Sequence, residues 1–129
     1  MLIDNKNIKV YYHAMPEGNA LKFDFKGKFD LTTCQDTVSA WNSAFESFKG
    51  KKFTLIWDCS QMSGFDVEAQ REWVKHMNRL AGQIEKVIVI ADNIVIRGAA
   101  RLILKLFSFE SEVYNSITTM RSKMATLTT

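Results

Sequence analysis

A chain of 129 residues with a net charge of +3, 47% hydrophobic and 24% charged residues and a single proline has the composition of one globular domain, 1–129. That length buries a core without metal or disulfide staples, which excludes disorder and fibre. The lysines are scattered, apart from a short cluster at Lys49, Lys51 and Lys52, and no aromatic-basic interleaving accompanies them, which argues against a nucleic-acid partner.

Ile8 to Met15 places Ile8, Val10, Tyr12 and Ala14 opposite Lys9, Tyr11 and His13, the period of a strand with one covered face. Pro16-Glu17-Gly18-Asn19 breaks it, and Leu21, Phe23 and Phe25 alternate with Lys22, Asp24 and Lys26 in a second strand. The pair is expected to be a hairpin at a sheet edge, with lysines discouraging further pairing. The period then changes to three and four over Leu31, Cys34, Val38, Trp41, Phe45 and Phe48, a helical stripe whose aromatics read as core. Thr32 and Gln35 fit a capping box at its start, and Gly50 fits its stop.

Phe53 to Trp57 is an almost unbroken apolar run, as a strand covered on both faces requires, and Asp58 and Cys59 close it. A loop, Ser60-Gln-Met-Ser-Gly-Phe65, is expected to follow, with Asp66 or Ser63 capping a helix that turns Ala69, Trp73, Met77, Leu80 and Ile84 inward. Lys86 to Asp92 is a second continuous apolar run, so the two runs and their helix make a βαβ unit in a partly parallel sheet. A third helix spans about 94–109, a weak strand Val113 to Ile117, and a terminal helix Thr118 to Leu127.

The third helix carries more apolar surface than one sheet contact uses. Arg97, Arg101 and Lys105 align along one edge and apolar residues cover the remainder, well beyond an ordinary ~100° stripe. Something must cover the excess: a terminal strand and helix folded over it, or else a homodimer seam, a partner groove or an apolar ligand pocket, with Ile96, Ala100, Ile103, Leu104 and Phe107 as the ligand or dimer surface, while a basic, leucine-rich helix lying on a membrane is a minor option.

The order ββαβαβαβα and the run Asp58-Cys-Ser60-Gln-Met-Ser63-Gly-Phe-Asp66-Val-Glu-Ala69 resemble the STAS domains of anti-sigma-factor antagonists, in particular the SpoIIAA-like branch, whose members are also compared with CRAL-TRIO lipid carriers. The resemblance implies an α/β fold with a mixed sheet of about five strands and helices packed on it. It also implies a regulatory protein-interaction domain whose helix opens on an Asp-Ser-Ser-Gly-like tetrad, the first serine being the acceptor for a partner kinase. Aligned without gaps, Asp66 falls on the tetrad's aspartate, but Val67 stands where the acceptor serine belongs, Glu68 where the next serine is and Ala69 where the glycine is. Valine takes no phosphate, so the usual charge switch is not expected there.

The resulting expectation is a non-enzymatic domain that docks a protein partner through Asp58, Ser60, Met62, Ser63, Phe65, Asp66 and Glu68. Binding of a small lipid-like molecule beneath the third helix is the alternative. An enzyme is not expected: Asp58 and Asp92 end neighbouring parallel strands, as in receiver-type phosphoacceptor sites, yet the first strand ends His13-Ala14-Met15 without the acidic pair such sites need. His76 has no companion metal ligands in sequence, so no metal or cofactor is expected. Cys34 and Cys59 form no CxxC pair and read as free thiols of a reducing compartment. Neither a signal peptide nor an apolar run of membrane-spanning length is present, and a bacterial cytoplasmic location is the expectation.

Overall fold

The computed structural model describes residues 2–15, 18–47 and 51–116, with the side chains of 14, 15, 18 and 19 left aside. Six strands form one sheet in sequential order: β1 (Ile3–Asp4), β2 (Ile8–Met15), β3 (Gly18–Phe29), β4 (Phe53–Phe65), β5 (Ile84–Ile90) and β6 (Glu110–Tyr114). The first three pair antiparallel and the rest parallel, through α1 (Leu31–Ser47), α2 (Val67–Leu80) and α3 (Ile94–Leu104). Each crossover steps in the same direction along the sheet, and crossovers of one hand then lay all their helices on one face.

The core records that geometry. Val10, Phe23, Trp57, Val87 and Val89 from the sheet join Trp41, Phe45, Trp73, Met77, Ile96, Ala100 and Leu104 from the three helices in one buried cluster. The alternate positions of the same strands point to the other face, where Ala20, Ile56, Ile88, Ile90 and Tyr114 form a second cluster. Burial on both faces is why β4 and β5 read as continuous apolar runs rather than alternating ones.

Several boundaries differ from expectation for reasons the structure makes plain. The hairpin is not at the edge: β3 lies between β2 and β4, and the two-residue β1 supplies the edge. Six strands replace about five because that short segment pairs through Ile3 with Val10. α1 opens one residue before the supposed capping box, and Asp30 caps it, its Oδ1 accepting from the Thr33 backbone N–H at 2.8 Å. That hydrogen bond, helped by the Thr33 hydroxyl, holds the Asp30 carboxyl below the ordinary aspartate range. α3 stops at Leu104, short of 109, and β6 starts at Glu110 rather than Val113. Ile84 belongs to β5, not to the preceding helix. Pro16 and Glu17 of the turn, Phe48 and Gly50 at the first helix stop, Ile117 and the terminal helix 118–127 lie outside the described residues. Among the described residues no helix is long and apolar enough to cross a membrane.

Candidate docking site

The segment expected to be a loop is a strand. β4 continues through Ser60 to Phe65 because β3 is long enough to pair with all of it: Lys26 lies opposite Gln61, Gly27 opposite Met62 and Phe29 opposite Phe65. Two register shifts interrupt the ladder, between Asp24 and Lys26 and again between Gly27 and Lys28, and each inserts one extra residue on the β4 side. Gly27 answers with a φ of +69°, a left-handed conformation that favours glycine. Asp66 alone separates β4 from α2, so strand tip and helix start are joined through a single residue.

The candidate residues divide between this junction's surface and its support. Ser60, Ser63 and Glu68 are exposed, as is Val67 at 57%. Met62 and Phe65 are half-buried and pack against the main core. Asp66 has the extended backbone of an N-cap but makes no side-chain cap; its carboxylate pairs with Lys28 at 2.9 Å. The Asp66 hydrogen bond holds the Lys28 ammonium above the ordinary lysine value.

Asp58 turns away from the junction to the second face of the sheet. There it accepts from the Ser60 backbone N–H at 3.1 Å and from the Ser60 hydroxyl, and it faces the buried Lys22 ammonium at 3.8 Å. Lys22 also lies 3.2 Å from Asp24 and 5.5 Å from the Tyr11 ring centre. Burial alone would lower the Lys22 pKa, but the Tyr11 hydroxyl and Asp24 outweigh it and leave the pKa raised. Nothing in the apolar run announced this cluster; the only sequence signal was the period-two pattern that puts Lys22, Asp24 and Asp58 on faces opposite to Phe23 and Trp57.

Burial pushes the Cys59 thiol up to about 12, with Asp58 adding to it, and burial with a contribution from Glu72 does the same for Cys34. Both cysteines are unbridged, and both are neutral at physiological pH. Asn93 caps α3 by accepting from the backbone N–H groups of Val95 and Ile96. His76 is held between Glu72 at 3.3 Å and Arg79 at 3.0 Å. No group of three His, Cys, Asp or Glu side chains among the described residues could hold a metal.

The five residues expected to form an apolar ligand or dimer surface face mostly inward. Ile96, Ala100 and Leu104 are buried, and Ile103 and Phe107 are half-buried against the core. The space beneath α3 is a cavity of about 60 Å³ bordered by Phe29, Trp57, Cys59, Met62, Trp73 and Ile103 among others, with Gln70 as its one amide. The apolar residues that do face solvent are different ones, Val95, Leu102 and Leu106, together with Ile94 and Val67. Leu102 and Leu106 belong to the apolar excess that the helical wheel shows beyond one sheet contact, but the wheel alone does not say which part of that excess faces water.

No family model and no curated protein matches the chain. Solved structures do. An uncharacterized protein of the DUF3478 family with a SpoIIAA-like fold, from Shewanella loihica PV-4, superposes with a TM-score of 0.76 over 96% of this chain and 98% of its own, at 14% identity. The anti-sigma factor antagonist SpoIIAA in its unphosphorylated form superposes with a TM-score of 0.55 over 92% of this chain and 97% of its own, also at 14% identity. Full-length superposition at such low identity is a statement about architecture: this chain has the SpoIIAA-like fold.

Proposed function

We propose that the protein is a non-enzymatic regulatory or protein-interaction domain of the cytoplasm that docks a partner through the junction of β4 and α2, residues 58–69, without the serine phosphorylation switch. The observation that carries this reading is the junction itself. An exposed helix start, Val67 and Glu68, is joined by one residue to a strand tip that stays paired with β3 as far as Phe65. A contact surface on a paired strand loses little entropy on binding. Ser60, Ser63, Val67 and Glu68 supply the contact, while Asp58, Met62, Phe65 and Asp66 hold it in shape. Val67 at the tetrad position takes no phosphate, and Glu68 already places a permanent negative charge in the first turn of α2. Two unbridged thiols support the reducing location.

The test uses the full chain as bait for partners in a lysate of the native host, with Ser63→Arg and Glu68→Lys introduced together. Both side chains are exposed, so folding is retained and the loss of captured proteins reports contact. An unchanged set of captured proteins overturns the reading.

A second reading is favoured by the cavity beneath α3, whose walls are almost wholly apolar and include the buried Trp57. Walls of this kind suit a small apolar molecule. Native mass spectrometry of the purified protein is expected to show the apo mass, and a co-purified acyl compound would favour this second reading.

A further inference from the structure

Trp57 borders the cavity beneath α3 and is only 4% exposed. Its indole N–H is shut off from solvent, and no acceptor among the described residues meets it. An indole nitrogen can only donate, and a buried donor without an acceptor is rare in a folded protein because it has given up water for nothing. The Trp41 N–H also lacks an acceptor, but three rings pack around it: Phe23 at 5.9 Å, Phe45 at 5.5 Å and Trp73 at 5.0 Å between centroids. Ring faces accept weakly from N–H groups. Among the described rings Trp57 has Trp73 alone at such range, at 5.5 Å, and open space beside it instead.

The rest of the wall narrows the chemistry of an occupant. Phe25, Phe29, Met62, Phe65 and Ile103 make it apolar, and no charged side chain borders it, so an ion would lose its hydration without gaining a partner. Cys59, also on the wall, keeps its proton because burial raises its thiol. At about 60 Å³ the space is small. A hydrocarbon would fill it and leave the Trp57 donor as it is, whereas a neutral molecule with a carbonyl oxygen fills it and supplies the acceptor. We propose that the cavity beneath α3 binds a small neutral carbonyl compound, a short ketone in its simplest form, whose oxygen accepts from the Trp57 indole N–H. This rests on the second reading above and gives the chemical class of its ligand.

Titration of the isotope-labelled full-length protein with acetone tests this, with isobutene as the control of matching shape that lacks the oxygen. Proton–nitrogen correlation spectra read the indole N–H signals of the three tryptophans. Acetone is expected to move the Trp57 signal downfield, saturably, with a Kd on the order of 10 mM, a weak affinity suited to so small a molecule. Isobutene occupies the same space without a downfield shift. Trp57→Phe identifies the signal and keeps an aromatic ring; it weakens acetone about fivefold or more and isobutene less than about twofold. Ala99→Leu, at a half-buried position on the wall, fills the cavity and removes both responses, which keeps the test independent of how well the tryptophan variant folds. The proposal is overturned if Trp57→Phe weakens both ligands alike, if Ala99→Leu leaves acetone binding as it was, or if the Trp57 N–H shows cross-relaxation to a bound water that acetone does not displace. Saturable isobutene binding with no acetone response keeps the small apolar ligand and removes the carbonyl; silence from both removes the second reading as well.

Discussion

Trp73→Ala lowers the unfolding free energy by about 3–5 kcal/mol, a large share of the ~5–15 kcal/mol typical of a domain. Trp73 is buried on the inner face of α2 and its ring meets five others: Phe23 at 5.9 Å, Phe25 at 6.0 Å, Phe29 at 5.7 Å, Trp41 at 5.0 Å and Trp57 at 5.5 Å between centroids. Those partners come from β3, α1 and β4, so one side chain ties α2 to the sheet and to its neighbouring helix. Most contacts are edge-to-face, the arrangement the ring quadrupoles prefer, and each adds to the area buried. Truncation leaves a void that five rings cannot close by small rotations, because each is itself held in the cluster. Urea unfolding followed by far-ultraviolet circular dichroism measures the loss without relying on the fluorescence of the residue removed. Leu102→Ala, on the exposed side of α3, is the control and stays within about 0.5 kcal/mol. A Trp73→Ala loss no larger than the control's would contradict the hub assignment.

Lys22→Met is expected to cost about 2–3 kcal/mol at neutral pH, somewhat below the loss from breaking a fully buried pair, because Asp24 and Asp58 keep some contact with water. The methionine retains the apolar stem and removes the charge, which leaves two carboxylates facing each other's field across β3 and β4. Asp58→Asn is milder, since the pair between Lys22 and Asp24 survives it. The sign of the pH dependence separates charge from packing. Lys22 has a raised pKa in the folded protein, so its contribution is complete below about 10.5 and is lost as the pH climbs through that raised value. The wild-type protein therefore weakens in strong alkali by an increment that Lys22→Met lacks. Unfolding curves for both proteins at neutral and alkaline pH test this; parallel pH profiles would assign the loss to packing alone.

This second result also bears on how Asp58 is understood. At the end of an apolar run it looks like a surface acid at a strand tip, and its register opposite Asp24 is invisible in the linear chain. The pairing of β3 with β4 decides that it faces Lys22, and that it serves the sheet before any partner. Met62 and Phe65 are a related case. Their sequence neighbours are serine, glycine and aspartate, the composition of a loop, yet β3 supplies a ladder all the way to Phe65 and both side chains then reach the core. Turn-like composition yielded to a long-range pairing that no local propensity encodes.

What the linear chain settled by itself is whatever depends on periodicity: where the principal strands and helices lie, apart from β1 and the 60–65 extension of β4, that the apolar runs of β4 and β5 are covered on both faces, that Cys34, Val38, Trp41 and Phe45 share one face of α1, and that the sheet is partly parallel. These follow because a side chain's direction repeats every two residues in a strand and every 3.6 in a helix, wherever the element ends up. Tertiary structure alone decided the strand order, the length of β4, the pairing of Lys22 with Asp24 and Asp58, and the groove in which Val67 and Val74 on α2 meet Leu102 and Leu106 on α3. Each of these needs two segments far apart in the chain to be brought together, and the energy that does so is spread over the whole core rather than written in either segment.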